Sequence, residues 1–212
     1  LGGAPVSGPV LAGVALERAR AVVVLVHGRD QDERVMLDLA ARLALAGVAY
    51  LLPVSPDRSW YPGRYFDPPE AHETHLEGAL AACEQALTDA RRAGVPDERI
   101  LVGGFSQGAC VIAELVARRP ARWAGAAVLT GSLLGSAGQR VTPSPAVTGL
   151  PMLFGSSLHD EWVAFEDVRA SAAAFAAAGA RVTLERYEDR VHEIGERAVD
   201  GLRALIGRSM QT

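Results

Sequence analysis

At 212 residues the chain is long enough for one domain with a full core and short for two, and 49% hydrophobic against 22% charged residues describe a globular protein, not a disordered one. A formal charge of −4 without a basic run argues against nucleic acid as a partner and against a membrane-surface patch. No uncharged apolar stretch reaches the ~18 residues of a spanning helix, so stable membrane insertion is not expected.

Along the chain, short runs rich in Val, Leu and Ile alternate with helical patterns. Strands are expected at 10–16, 21–26, 48–54, 100–104, 125–130, 151–155 and 182–187, and helices at 33–46, 70–93, 107–118, 165–178 and 193–206. Most of the strands are continuously apolar, as strands buried on both faces of a parallel sheet are. Gly47, Gly94, Gly179 and Gly207 each follow an expected helix end, where a left-handed cap is favoured. The alternation predicts a single α/β domain over 1–212, a mostly parallel sheet of about seven strands with helices on both faces and no large lid.

The first residues, LGGAPVSGPVLAGVALERAR, have neither a basic leader nor a compact apolar segment, so no signal peptide is expected and a cytoplasmic location is. The chain opens on Leu1, which is compatible with a trimmed start, and residues 1–9 are expected to be a flexible lead-in. Cys83 and Cys110 fall inside expected helices and read as two buried, reduced thiols. All 21 basic residues are arginine and there is no asparagine, which fits a GC-rich coding sequence better than a functional demand.

The stretch GFSQG, residues 104–108, lies between the expected strand 100–104 and helix 107–118. A turn this tight strains the serine backbone, and Gly104 and Gly108 suit it because side chains at those positions would collide. The Ser106 hydroxyl would then stand at the carboxyl edge of the sheet and at a helix N-terminus, where developing negative charge is favoured. A plain glycine-rich turn is the alternative for the pentapeptide alone.

A serine nucleophile needs a base and an acid, expected in the order Ser, acid, His. His159 and His192 are the two histidines after Ser106. His192 sits between the last strand and the last helix and is the candidate base; His159 reads as packing or polar trim. Asp160, after strand 151–155, is the candidate acid that would orient the imidazole. Glu161, Glu166 and Asp167 compete with it, the last two from inside the expected helix. For the oxyanion, backbone N–H donors are expected from Gln107 and from Arg29 in the loop after strand 21–26, with His27 holding that loop.

These segments resemble one family. HGRDQDERVMLDLA, SWYPGRYFDPP, GFSQGACVIAELVARRP, LTGSLLG, HDEWV and RVHEIGERAV follow in the order and spacing of the phospholipase/carboxylesterase family of α/β-hydrolases, which includes acyl-protein thioesterases and small bacterial esterases. The resemblance covers roughly residues 20–207. It implies a compact hydrolase with a Ser106–Asp160–His192 triad acting on carboxylic esters or thioesters. The chain has HGRD where many relatives have a second glycine. A dienelactone-hydrolase-like reading fits the size, but those enzymes usually carry a cysteine nucleophile.

Two loops, 55–69 and 132–149, resist assignment to the scaffold. Trp60, Tyr61, Tyr65 and Phe66 in the first, Leu133 in the second and Trp162 beside Asp160 are expected to wall an apolar substrate cleft, with Leu134 near them. His72 and His75 lie three apart around a carboxylate, but a third ligand cluster is not evident and no metal is expected. The expected substrate is a small ester or thioester, with no cofactor. A lysophospholipase or thioesterase on longer chains, and a catalytically silent binding protein, are the alternatives. The oligomeric state, a homodimer included, stays open.

Overall fold

The computed structural model describes residues 8–211. The elements, in chain order, are β1 (Val10–Gly13), β2 (Ala21–Val26), α1 (Glu33–Leu43), β3 (Val48–Leu52), α2 (Glu73–Arg92), β4 (Ile100–Phe105), α3 (Gln107–Arg118), β5 (Gly125–Leu129), β6 (Pro151–Ser157), α4 (Phe165–Ala177), β7 (Arg181–Tyr187) and α5 (Glu196–Ser209). The described residues form one seven-stranded sheet in the order β1-β3-β2-β4-β5-β6-β7. Only β1 runs antiparallel to its neighbour. Most of the expected flexible lead-in, residues 1–7, lies outside the described residues.

Every residue of β2 and β4 is buried, because helices cover both faces of the sheet. Alternation then divides the core. Val22, Val24 and Val26 point into a cluster with α2, α3 and α4, whereas Ala21, Val23 and Leu25 point to α1 and α5. Cys83 and Cys110 are both buried and unpaired. No described helix is long and apolar enough to cross a membrane.

The element ends depart from the sequence reading for local reasons. β1 stops at Gly13, where φ is 76° and an added Cβ would lie 2.3 Å from the Val48 carbonyl oxygen. β3 stops at Leu52 because Pro53 offers no N–H to continue the ladder. α1 ends on Ala44, itself left-handed at φ 51°, and not at Gly47. Pro68 and Pro69 delay α2 to residue 73 behind a short 3-10 turn. α5 is displaced by three residues and contains Gly207, so this glycine is no cap. The freed segment 193–195 packs Ile194 into the core, and the Ile194 carbonyl accepts a 2.7 Å hydrogen bond from Arg42.

One buried carboxylate ties the long 132–149 loop to the scaffold. Glu114 on α3 accepts from the Leu134 N–H at 2.8 Å and from Arg118 at 2.6 Å, and Arg118 reaches Glu73 on α2 at 2.9 Å. Glu114→Ala strands a buried N–H and removes a partner of Arg118, so it is expected to cost about 1–3 kcal/mol in urea unfolding. Glu114→Gln, which keeps an acceptor for Leu134, should cost less. Equal stability of the alanine variant and the parent would contradict the assignment.

Candidate active site

Ser106 separates β4 from α3 and has φ 54° and ψ −120°, a left-handed conformation that residues other than glycine rarely adopt. Two hydrogen bonds hold it. Its N–H donates to the Leu129 carbonyl of β5 at 2.9 Å, and its carbonyl accepts from Cys110 N–H at 3.1 Å. The flanking glycines allow close backbone contact. A Cβ on Gly104 would lie 2.4 Å from the Gly108 carbonyl oxygen, and one on Gly108 would lie 2.2 Å from the Val26 carbonyl oxygen. Gly108 is therefore constrained by the end of β2 more than by Gly104.

The three residues picked from sequence order converge. His192 Nε2 lies 2.8 Å from Ser106 Oγ, and His192 Nδ1 lies 2.8 Å from Asp160 Oδ2. The other carboxylate oxygen, Oδ1, accepts from the Trp162 and Val163 N–H groups, each at 2.9 Å. A carboxylate in that position accepts, so Nδ1 of His192 carries the proton and Nε2 is free to accept from Ser106 Oγ–H. The Asp160 side chain is fully buried while that of His192 remains 21% exposed. Burial alone would raise the Asp160 pKa, but the His192 hydrogen bond and the two N–H donors hold the carboxyl below the usual carboxylate range. Phe105 and Trp162 flank the imidazole, with ring centroids 5.0 and 6.2 Å away. The competing acids stand elsewhere: Glu161 and Glu166 are exposed, and Asp167 is engaged by Tyr65 and Arg140.

Arg29 and Gln107 line the same cavity as Ser106. The Arg29 N–H has no acceptor among the described residues, and Gln107 opens α3, where an N–H has no intrahelical partner. His27 is fully buried next to this loop. Its Nε2 accepts from Ser55 N–H at 3.2 Å, so Nδ1 is the protonated nitrogen and donates to the Gly28 carbonyl at 2.8 Å. Burial lowers its pKa, which keeps this neutral form. Gly28 brings the loop against the serine: a Cβ there would lie 3.2 Å from Ser106 Cβ.

Sequence reasoning missed the Gln107 side chain. Its carboxamide accepts from Trp60 N–H at 2.8 Å and donates to the Tyr61 carbonyl at 2.8 Å, fastening the 55–69 loop to the start of α3. A polar residue directly ahead of the apolar run 108–113 was the available signal. The cavity measures about 600 Å³ and is walled by Tyr61, Tyr65, Trp162, Val163 and Cys110. Burial pushes the Cys110 thiol pKa up.

Three expected wall residues lie elsewhere. Trp60 turns inward, stacking on His27 at 4.8 Å and donating to the His27 carbonyl. Phe66 is exposed and packs edge-on against the Tyr65 ring. Leu133 is buried in the core and Leu134 beside it, since their N–H groups are fixed by Ser171 and Glu114. His72 is buried against Tyr61, whereas His75 is exposed, so the two point apart. His159 is exposed. Among the described residues no group of three or more His, Cys, Asp or Glu side chains is placed to hold a metal.

Known proteins share this fold. A search of curated protein sequences gave no match. The crystal structure of a phospholipase/carboxylesterase from Dyadobacter fermentans DSM 18053 is similar at 27% identity, over 94% of this chain and 95% of that one, with a TM-score of 0.85. SOBER1 from Arabidopsis thaliana has the same fold at 20% identity, over 91% of this chain and 100% of that one, with a TM-score of 0.75. A carboxylesterase from Mesorhizobium loti does so at 21% identity, over 89% of each chain, with a TM-score of 0.69. The phospholipase/carboxylesterase family matches over residues 14–208, which together with the α/β-hydrolase architecture makes this chain a member of that family and an ester hydrolase.

Proposed function

We propose that the protein hydrolyses small carboxylic esters through an acyl-enzyme on Ser106. The observation that carries the reading is the unbroken chain of two 2.8 Å contacts from Ser106 Oγ through His192 to Asp160. His192 Nε2 takes the hydroxyl proton as Ser106 attacks the carbonyl carbon. Asp160 stabilises the resulting imidazolium and keeps the ring in place. The N–H groups of Arg29 and Gln107 bind the oxyanion, helped by the N-terminal end of α3. His192 then protonates the leaving alcohol, and the same base activates water to release the acid.

A cavity of about 600 Å³ falls within the range that encloses a compact small molecule. The intact hydrogen-bonded chain also weighs against a silent binding protein. A thioester or long-chain substrate is separable by experiment: against a series of nitrophenyl esters, activity should fall steeply beyond short acyl groups. A rise towards long chains would favour the lysophospholipase-like alternative.

Two variants test the roles. Ser106→Ala should lower kcat by roughly 10⁴-fold or more without lowering the melting temperature, since alanine meets the same backbone strain. Ser106→Gly should be as inactive but more stable by about 1 kcal/mol, because glycine adopts this conformation freely. Turnover retained in either would remove Ser106 from the mechanism. Asp160→Asn should lower kcat by roughly 10³–10⁴-fold with little change in KM. A loss seen mainly in KM would instead make Asp160 a substrate-binding residue.

A further inference from the structure

The cavity carries two guanidinium groups, Arg29 and Arg64, that no carboxylate among the described residues neutralises. Arg29 is half-buried, and its Nη2 donates to the carbonyls of Tyr61 at 3.0 Å and Gly63 at 2.5 Å. Both acceptors are uncharged. The three N–H donors on Nε and Nη1 have no acceptor among the described residues. Arg64 stands at the mouth with its guanidinium 5.5 Å from the ring centroids of both Phe66 and Trp162. It too has no carboxylate within ion-pair distance among the described residues. Asp30 is the one acid among the described residues on the cavity wall; it is exposed and pairs with neither arginine.

The same fold treats other half-buried arginines differently. Arg118, with 24% of its side chain exposed, is paired with Glu114 and Glu73, and Arg140, with 12% exposed, is paired with Asp167 just behind Tyr65. A guanidinium withdrawn from water ordinarily gains a carboxylate partner, because its charge is costly to leave unmatched. At Arg29 that partner is missing on the side that opens to the cavity. Neighbouring groups do not supply it, since the Asp160 carboxylate is engaged by His192 and the Cys110 and Tyr61 groups are kept protonated by burial.

We infer that the ester this site takes carries a carboxylate, bound by Arg29 with Arg64 at the entrance. The inference rests on the hydrolase reading above and specifies its substrate class. The structure makes both arginines specificity-determining residues, while the acyl transfer itself is left to Ser106 and His192. The carboxylate belongs either to the acyl part or to the leaving alcohol, and two matched pairs of esters distinguish these. The first pair is 4-nitrophenyl hemiglutarate and its methyl-capped, uncharged analogue. The second is the butyrate ester of 3-hydroxyphenylacetate and that of its methyl ester.

The parent protein should favour the charged member of one pair by about tenfold or more in kcat/KM, after correction for alkaline reactivity, as for one charge-assisted hydrogen bond. The preference should shrink as salt is raised. Arg64→Gln and Arg29→Gln should each reduce the ratio, with the uncharged ester less affected. Among the described residues the Arg64 side chain makes no hydrogen bond, so its variant tests the idea even if Arg29→Gln disturbs the 55–69 loop. No charged-ester preference in either pair would overturn the inference while leaving the hydrolase reading intact, provided that the uncharged esters are hydrolysed by the parent and not by Ser106→Ala. A preference that survives in both arginine variants would also overturn it. Failure to hydrolyse any of the four esters would sink the hydrolase reading and the inference with it.

Discussion

The backbone of Ser106 is held at φ 54° and ψ −120°, a conformation that costs about 1–3 kcal/mol outside glycine and persists only where its surroundings over-determine it. Those surroundings are β5, whose last carbonyl accepts from the serine N–H, the first turn of α3, whose Cys110 N–H donates to the serine carbonyl, and the end of β2, which meets Gly108 at a distance no side chain would permit. Three central strands thus meet at one turn. The parallel sheet, with helices on both faces, supplies the rigidity that such a turn requires.

From that point the site is assembled by short loops at the carboxyl edge of the sheet. β6 extends to Ser157, whose hydroxyl contacts the Asp189 carboxylate and the Val191 carbonyl, so the loop bearing His192 is fixed to the strand that precedes Asp160. Gln107 and Arg29 hold the 55–69 loop from two sides through its main-chain groups. Tyr65 closes the third side: its hydroxyl donates to Asp167 at 2.8 Å and accepts from Ala164 N–H at 3.1 Å. A cavity wall built from loops is in this way secured mostly by hydrogen bonds to backbone, with the aromatic rings positioned as a consequence.

That division explains what could be read from sequence. The sheet, its helices and the meeting of Ser106, Asp160 and His192 follow from apolar runs, a strand-to-helix turn and the order of residues in strand-exit loops. Helix ends were less legible, because Ala44 caps α1 in a left-handed conformation that carries no compositional mark. Side-chain direction in the long loops was legible only in part: Tyr61 and Tyr65 face the cavity as expected, whereas Trp60, Phe66 and Leu133 do not. Trp60 turns inward because the His27 carbonyl accepts its indole N–H, and Tyr61 faces the cavity because its carbonyl is held by Gln107 and Arg29. Such partners lie ~30–50 residues away in sequence and act through main-chain groups, to which periodicity is blind.

On this reading Ser106 alone is the activated nucleophile, raised on a strained turn and hydrogen-bonded through His192 to Asp160. Exposure to a fluorophosphonate, followed by peptide mass mapping, tests it most directly. A single covalent adduct is expected on the peptide containing GFSQG, localised to Ser106 and greatly slowed by His192→Ala. An unlabelled protein, or an adduct on another residue with Ser106 untouched, would contradict it.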